Sequence, residues 1–346
     1  MNTYNWAKLA RGWPRASGEP PISGTVKSTP ADFVVREQMP VQPSGQGEHV
    51  WLQIRKTRSN TEQLAKAIAR HAGVSYRDVG YSGLKDYFAV SEQWFSVWLP
   101  KQPAPDWSLL NSEHAELLQV VQHNRKLKRG THRGNAFEIT VRSVKGDPVV
   151  LQQRLQQIAE QGVPNYFGEQ RFGRDFGNMV QVRDWFAGGQ PPSGRHLRSL
   201  LISSARSWLF NSVVAARIVD NSWQSLLPGE PANLDGGNSI FIATGEPNEA
   251  QRLKEMDIHP TAPLWGDGAA DIVSDSSPLG QLECMAMQRF GFLQQGLQQA
   301  RANYQRRSLR SKLTNLLWSL DNDTLHLSFE LQRGQFATSM LRELLI

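Results

Sequence analysis

The segment SGLKDYFAVSEQWFSV, Ser82 to Val97, sets a lone carboxylate, Asp86, beside Lys85 and just ahead of an apolar run. A polar loop that feeds a strand is a common seat for catalytic groups. The ordinary reading of a loop aspartate is a cap or a turn former, and residue chemistry alone leaves both readings open. The Lys85 ammonium would favour the ionised carboxylate if the two side chains met.

A second constellation is basic. His123 to Gly134, HNRKLKRGTHRG, holds Arg125, Lys126, Lys128, Arg129 and Arg133 with no acid. Like charges this close repel unless water or an anion screens them, so the run reads either as a solvated turn or as a strip for phosphates. Trp6, Lys8, Arg11, Trp13 and Arg15 interleave rings with cations, a composition suited to base stacking and phosphate contact. Arg301, Arg306, Arg307, Arg310 and Lys312 form a third acid-free run. The net charge is only +6, so three such runs imply that charge is segregated, and nucleic acid is the expected partner. The segment NYFGEQRFG, Asn165 to Gly173, is dense in rings, glycine and amides. It reads as a tightly packed loop or as one that lines a substrate site.

Other chemistries lack their residues. Cys284 is the sole cysteine, so neither a disulfide nor a thiolate metal set forms within one chain. The eight histidines include no HxH or HxxxH pair, and no zinc site is expected. There is no phosphate-binding Walker A pattern, and Gly45-Gln46-Gly47 is expected to be only a turn. No apolar run approaches the about 18 residues that cross a bilayer. The opening MNTYNWAKLARGW carries no apolar signal core. The expectation is a cytoplasmic protein without metal, cofactor or membrane.

These groups need elements to hold them. A chain of 346 residues with 39% apolar composition suggests two domains. Val50, Leu52 and Ile54 alternate with Trp51, Gln53 and Arg55 as a half-buried strand would. Ser59-Asn60-Thr61-Glu62 reads as a capping box ahead of Leu64, Ala67 and Ile68 at helical spacing, with a stop near Gly73. Trp94–Leu99 and Phe137–Val141 read as further strands. Asp147-Pro148 reads as a helix start, with an apolar face of Leu151, Leu155 and Ile158 and a stop at Gly162. Strand and helix do not alternate regularly enough for a doubly wound sheet, so the class is α+β. From about residue 160 to 307 helical patterns dominate, His196–Ile218 above all. Then Leu325, Leu327, Phe329 and Leu331 alternate as a strand. A strand isolated after a helical region needs a partner, and the first domain's sheet is the simplest one. The expected organisation is one discontinuous domain, 1–160 with 308–346, interrupted by 161–307.

GLKD followed by AVSEQW, then HNRKLKRGTHRGNAF, VPNYFGEQRFG and the terminal FATSMLREL, together resemble the TruD family of tRNA pseudouridine synthases. ADFVVRE at Ala31–Glu37 and GEHVWLQIRK at Gly47–Lys56 fit too. The resemblance spans nearly the whole chain, in matching order. It implies a pseudouridine synthase-type catalytic domain with a mixed sheet, interrupted by an inserted, mainly helical α/β domain specific to the family. It also implies isomerisation of uridine 13 of tRNA to pseudouridine without cofactor or metal, by a monomer.

Residue by residue, the resemblance assigns the essential carboxylate to Asp86. The roles open to it are attack on the sugar, attack on the base, and removal of the 2′ proton. Asn135 and Phe137 of RGNAF match an active-site pair, with Phe137 placed to stack on the uracil. Lys85 matches the lysine before the aspartate. Phe33 of ADFVV and Lys27 of TVKSTP match pocket-side positions, Lys27 as an RNA contact. Arg125, Lys126, Lys128, Arg129 and Arg171 are the expected phosphate contacts. The target base must leave its stack to be reached. Tyr87 and Phe88 depart from the family, which commonly has a basic residue and then histidine there, and Arg36 replaces a residue that is often acidic or lysine. The alternatives to a synthase are an RNA-binding or RNA-folding protein on the same scaffold, and a glycosylase that releases the base.

Overall fold

The strand patterns at the two ends of the chain meet in one sheet. The computed structural model describes residues 4–100, 103–237, 239–268 and 272–346. In chain order its elements begin with helix Trp6–Arg11 (α1), strands Ile22–Val26 (β1), Phe33–Gln38 (β2) and His49–Thr57 (β3), and helix Thr61–His71 (α2). Strands Val79–Tyr81 (β4), Val90–Trp98 (β5), Ala115–His123 (β6) and Gly134–Gly146 (β7) follow, then helix Pro148–Gln161 (α3) and the short strand Val163–Pro164 (β8). Next come helices Gly177–Phe186 (α4) and Arg195–Val219 (α5), strands Pro231–Leu234 (β9) and Ile240–Ile242 (β10), helix Pro247–Lys254 (α6) and strand Ile258–Leu264 (β11). Helices Pro278–Met287 (α7) and Gly291–Gln299 (α8) precede strands Gln305–Ser308 (β12), Arg310–Ser311 (β13), Thr314–Asp321 (β14) and Thr324–Gln332 (β15), and helix Ala337–Leu344 (α9) closes the chain.

One unit comprises Ile22–Pro148 and Leu313–Gln335. Its sheet runs β14-β15-β7-β2-β5-β3-β6, with β1 on β7 and β4 on β5. β2 and β5 are parallel and the other pairs antiparallel, so the sheet is mixed. As its alternation demands, the late strand β15 pairs along β7, from Leu325 opposite Val141 to Gln332 opposite Gly134. α2 lays Leu64, Ala65 and Ile68 on Leu52, Ile54, Phe95 and Val97. It starts one residue later than a Ser59 cap would have it: the Asn60 side chain accepts from the backbone N–H of Glu62 and Gln63. The opposite face of the sheet carries a ladder of charges. Arg36 bonds Glu138 and Glu92, and Arg55 bonds Glu92 and Glu116.

The second unit comprises the described residues up to Pro21, Val149–Lys312 and Phe336–Ile346. The expected division, 1–160 with 308–346 against 161–307, therefore differs from the units observed. The reason lies in α3, α9 and the N-terminal segment. Arg154 of α3 donates to the carbonyls of Glu343 and Ser17, at 2.8 and 2.5 Å, which binds all three into one body. The core gathers around α5, where Trp208, Leu209, Phe210 and Val213 are fully buried. Trp6 belongs to this core, its ring set edge-on to Trp208, so it offers no stacking surface. β10-β9-β11-β12 form a small sheet beside the helices. The third basic run is largely interior: Arg306, Arg307 and Arg310 are buried or nearly so. Arg306 pairs with Glu283, and Arg310 donates to the Leu253 and Ile258 carbonyls. The helix from Pro148 to Gly162 and the long helix over 196–218 match their sequence patterns.

Candidate active site

Antiparallel register puts directly opposed residues on one face of a sheet. Glu37 lies opposite Asn135, and Val35 opposite Phe137, which itself lies opposite Phe329. On the neighbouring pair, Lys56 lies opposite Ser91 and Ile54 opposite Gln93. Phe33, Glu37, Asn135, Phe137, Gln93 and Lys56 thus share one face, across four adjacent strands. Arg36 sits on the other face, in the charge ladder, away from this cluster.

Asp86 is brought to that face by the loop Ser82–Ala89 between β4 and β5. The loop is held from several sides. Thr61 Oγ1 accepts the Lys85 backbone N–H at 3.2 Å and donates to Gln93 Oε1 at 2.9 Å. Gln93 Nε2 donates to the Gly83 carbonyl at 3.2 Å. The Gly130 N–H donates to the Ser82 carbonyl at 2.7 Å. Lys56 Nζ, on a residue with no exposed surface, donates to the Asp86 carbonyl at 3.1 Å and the Ser59 carbonyl at 2.7 Å. Burial pulls the Lys56 ammonium down from 10.5 to about 8; the Asp86 charge works against that fall and Lys85 adds to it.

The carboxylate of Asp86 pairs with Lys27, Nζ to Oδ2 at 2.5 Å, and Lys27 Nζ also stands 4.1 Å from the Phe33 ring centroid. Lys27 has φ +60, a left-handed conformation uncommon for a residue with a Cβ, and this turn sits where β1 gives way to the approach to β2. The ammonium expected on RNA is therefore the partner of Asp86. Lys85 does not take that place. Its Nζ is nearly buried and donates to Glu37 Oε1 at 3.0 Å and Asn135 Oδ1 at 2.7 Å, so it fixes the asparagine amide. Glu37 is anchored in turn by the Trp94 backbone N–H at 3.0 Å. Phe137 stacks on Phe329 at 5.3 Å and meets Phe33 edge-on at 6.1 Å. His132 lies near Lys85, and burial lowers its imidazole, with the Lys85 charge adding. Tyr87 is exposed, and Phe88 lies under Arg58 at 5.5 Å.

Residue patterns overlooked Glu37, Lys56, Thr61 and Gln93. A signal for two of them exists: Lys56 continues the parity of Val50, Leu52 and Ile54, and Glu37 that of Phe33 and Val35. A charged residue in register with a buried row is a buried charge, and buried charges have partners.

The basic strip lies on the connection between β6 and β7. Arg125, Lys128 and Arg129 are exposed there and Lys126 half-buried. Leu127 anchors the strip from beneath, buried, its N–H on Ser96 Oγ at 2.9 Å. Arg129 lies over the Tyr81 ring at 5.6 Å. Arg171 is in the other unit, its Nη1 on Ser203 Oγ at 3.1 Å. Among the described residues no group of three or more His, Cys, Asp or Glu is placed to hold a metal ion, and no helix is long and apolar enough to cross a membrane.

A carboxylate paired with one lysine, beside an asparagine fixed by another and an aromatic cluster, is equipped to act on a planar base and its sugar. Comparison with known proteins gives the family. The family model for tRNA pseudouridine synthase D (TruD) matches residues 14–186 and 193–344. The tRNA pseudouridine synthase D of Nitrosococcus oceani is 44% identical over 331 residues, covering 94% of this chain and 92% of that one. Its counterpart in Ectopseudomonas mendocina is 42% identical over 333 residues, covering 96% and 94%. A solved structure from Methanosarcina mazei, described under the same family name, superposes with a TM-score of 0.71 at 19% identity over 94% of each chain, which bears out the mixed-sheet α+β fold. By sequence along nearly its whole length, this chain belongs to the tRNA pseudouridine synthase D family.

Proposed function

We propose that the protein isomerises uridine 13 of tRNA to pseudouridine, with Asp86 as the essential carboxylate. The observation that carries this reading is the Lys27–Asp86 pair at 2.5 Å, on a loop that Lys56, Thr61 and Gln93 hold from beneath. The N1–C1′ bond breaks and a C5–C1′ bond forms. The proton lost at C5 balances the one gained at N1, so the RNA keeps its mass. Asp86 touches the reacting nucleotide, at the sugar or the base. Lys27 orients the carboxylate, Asn135 bonds the substrate from a position fixed by Lys85, and Phe137 with Phe33 supplies the apolar wall. A detached uracil must not escape, and an apolar wall limits the entry of water. Arg125, Lys126, Lys128 and Arg129 contact tRNA phosphates, which set register and carry no sequence information. The domain interrupted by an insertion is part of this reading, as is a cytoplasmic monomer with tRNA as its partner.

The test is to incubate unmodified tRNA carrying uridine 13 with wild type and with Asp86→Asn, and to score pseudouridine by carbodiimide adduct and primer extension. A stop for wild type alone, with tRNA binding retained in both, supports the assignment. A stop of equal strength with the variant refutes the role of Asp86. Tight tRNA binding with no stop in any tRNA would favour the RNA-binding reading, and a fall in RNA mass the glycosylase.

A further inference from the structure

Asn135 stands at the end of a buried chain of polar contacts. Glu37, whose side chain has no exposed surface, accepts the Trp94 backbone N–H on Oε2 at 3.0 Å and the Lys85 ammonium on Oε1 at 3.0 Å. Lys85 Nζ, itself nearly buried, directs a second N–H to Asn135 Oδ1 at 2.7 Å. β2 carries Glu37 and β7 carries Asn135, directly opposed in register. The backbone ladder thus fixes both ends, and Lys85 reaches in from the loop to bridge them. A buried ion pair gains little over apolar side chains of the same volume. What this one supplies is a direction for an amide.

A carboxamide has one accepting and one donating end of nearly the same shape, and its neighbours decide which way it lies. An ammonium has only protons to offer. An NH2 turned toward Lys85 would set donor against donor, so the amide does not flip. With Oδ1 held, Nδ2 is the end of Asn135 left for a ligand. Asn135 is half-buried, and among the described residues Nδ2 donates to none. Such an end takes a carbonyl and rejects an amine. Uracil suits it twice over, because its N3 is flanked by two carbonyls, O2 and O4. A half-turn about the N3–C6 axis carries C5 to the place of N1 and exchanges O2 with O4. One donor beside that edge therefore meets a carbonyl before the turn and another after it.

We propose that Glu37 and Lys85 are positioning residues that hold Asn135 as a one-way donor, and that Asn135 Nδ2 reads a carbonyl of the reacting uracil, in substrate and in product alike. The inference rests on the uridine reading above and adds which end of the amide meets the base. A base drawn out of its stack exposes that edge to such a contact.

The test crosses variants of the full chain with analogues of the substrate. tRNA is assembled with uridine, 2-thiouridine or 4-thiouridine at position 13; sulfur accepts hydrogen bonds poorly and leaves the rest of the base in place. Wild type, Asn135→Ala and the double variant Glu37→Gln with Lys85→Met, which leaves no buried charge unpaired, are compared by kcat/KM, with products followed by nucleoside chromatography and mass. Wild type should lose about tenfold on at least one thio substrate, whereas Asn135→Ala, slower on all three, should lose no more than about twofold. The double variant should follow Asn135→Ala, because its amide is free to flip. A merely structural role would slow all three substrates and keep the sulfur penalty. Equal penalties in wild type and Asn135→Ala overturn the proposal and leave the uridine reading standing. A penalty lost in Asn135→Ala but kept in the double variant overturns the role of Glu37 and Lys85. If the double variant does not fold, Lys85→Gln, whose amide can donate or accept, decides in its place. No product from wild type in any tRNA overturns the uridine reading and this proposal with it.

Discussion

Replacing Lys56 by methionine tests whether the lysine beneath the Asp86 loop carries the cost of a buried charge. The side chain has no exposed surface, and its ammonium falls from 10.5 to about 8. At about 1.4 kcal/mol per pH unit, that fall corresponds to about 3 kcal/mol. The sign follows from proton counting. Between pH 8 and 10.5 the unfolded chain still holds the Lys56 proton while the folded chain has released it, so stability rises with pH across that window. Below pH 8 both states are protonated and the full cost of burial is present. Methionine keeps the length of the stem and removes the titration. In urea melts followed by tryptophan fluorescence, the difference in unfolding free energy, wild type minus variant, should grow by about 3 kcal/mol from pH 7 to pH 10.5. Taking the difference cancels the other lysines and tyrosines. Parallel pH profiles would refute the reasoning. The variant should also lose about tenfold in kcat, because the carbonyls of Ser59 and Asp86 lose their donor and the loop is less well positioned.

Lys27→Met should leave stability within about 1 kcal/mol of wild type, because its ion pair with Asp86 is about a third exposed and such pairs contribute little. It should nonetheless lower kcat at least about tenfold in single-turnover pseudouridine assays; activity within twofold of wild type would show that Asp86 needs no such partner. Gly80→Ala places a Cβ 2.3 Å from the Leu127 carbonyl oxygen and 2.7 Å from Ser96 Oγ. The connection bearing Lys128 and Arg129 must shift, at a cost of about 2 kcal/mol. The Kd for tRNA should rise several-fold with a smaller salt slope, and an unchanged Kd in filter binding would detach the strip from RNA.

What was legible in the sequence was local. The parity of β3, β7 and β15 and the Asp147-Pro148 helix start show their physics within a few residues. The pairing of β15 with β7 was reachable too, because an isolated apolar strand must find a sheet. What was not legible depended on distance. The partner of Asp86 is 59 residues away, and adjacency in sequence pointed to Lys85 instead. In an extended loop neighbouring side chains point apart, so Lys85 reaches Glu37 and Asn135 while Asp86 turns toward Lys27. The basic run near residue 306 misled for a related reason. Acid-free in sequence, it meets Glu283 and backbone carbonyls once folded. A run of like charge describes a surface only if its residues stay there, and β12 and β13 carry these inward.

The charge balance of the Asp86 neighbourhood follows from the same pairings. Lys27, Lys56 and Lys85 meet two carboxylates, Asp86 and Glu37. Each lysine has its own acceptor: a carboxylate for Lys27, backbone carbonyls for Lys56, and Glu37 with Asn135 for Lys85. The excess is one positive charge, and it resides on Lys56, whose acceptors are neutral. That excess keeps the surroundings of Asp86 attractive to a polyanion although the loop itself presents a carboxylate. Tyr87 and Phe88, the loop's outer residues, add no charge of their own to this balance. The local field is supplied from beneath the loop by a lysine on β3, so the loop's own outer residues are free to be aromatic.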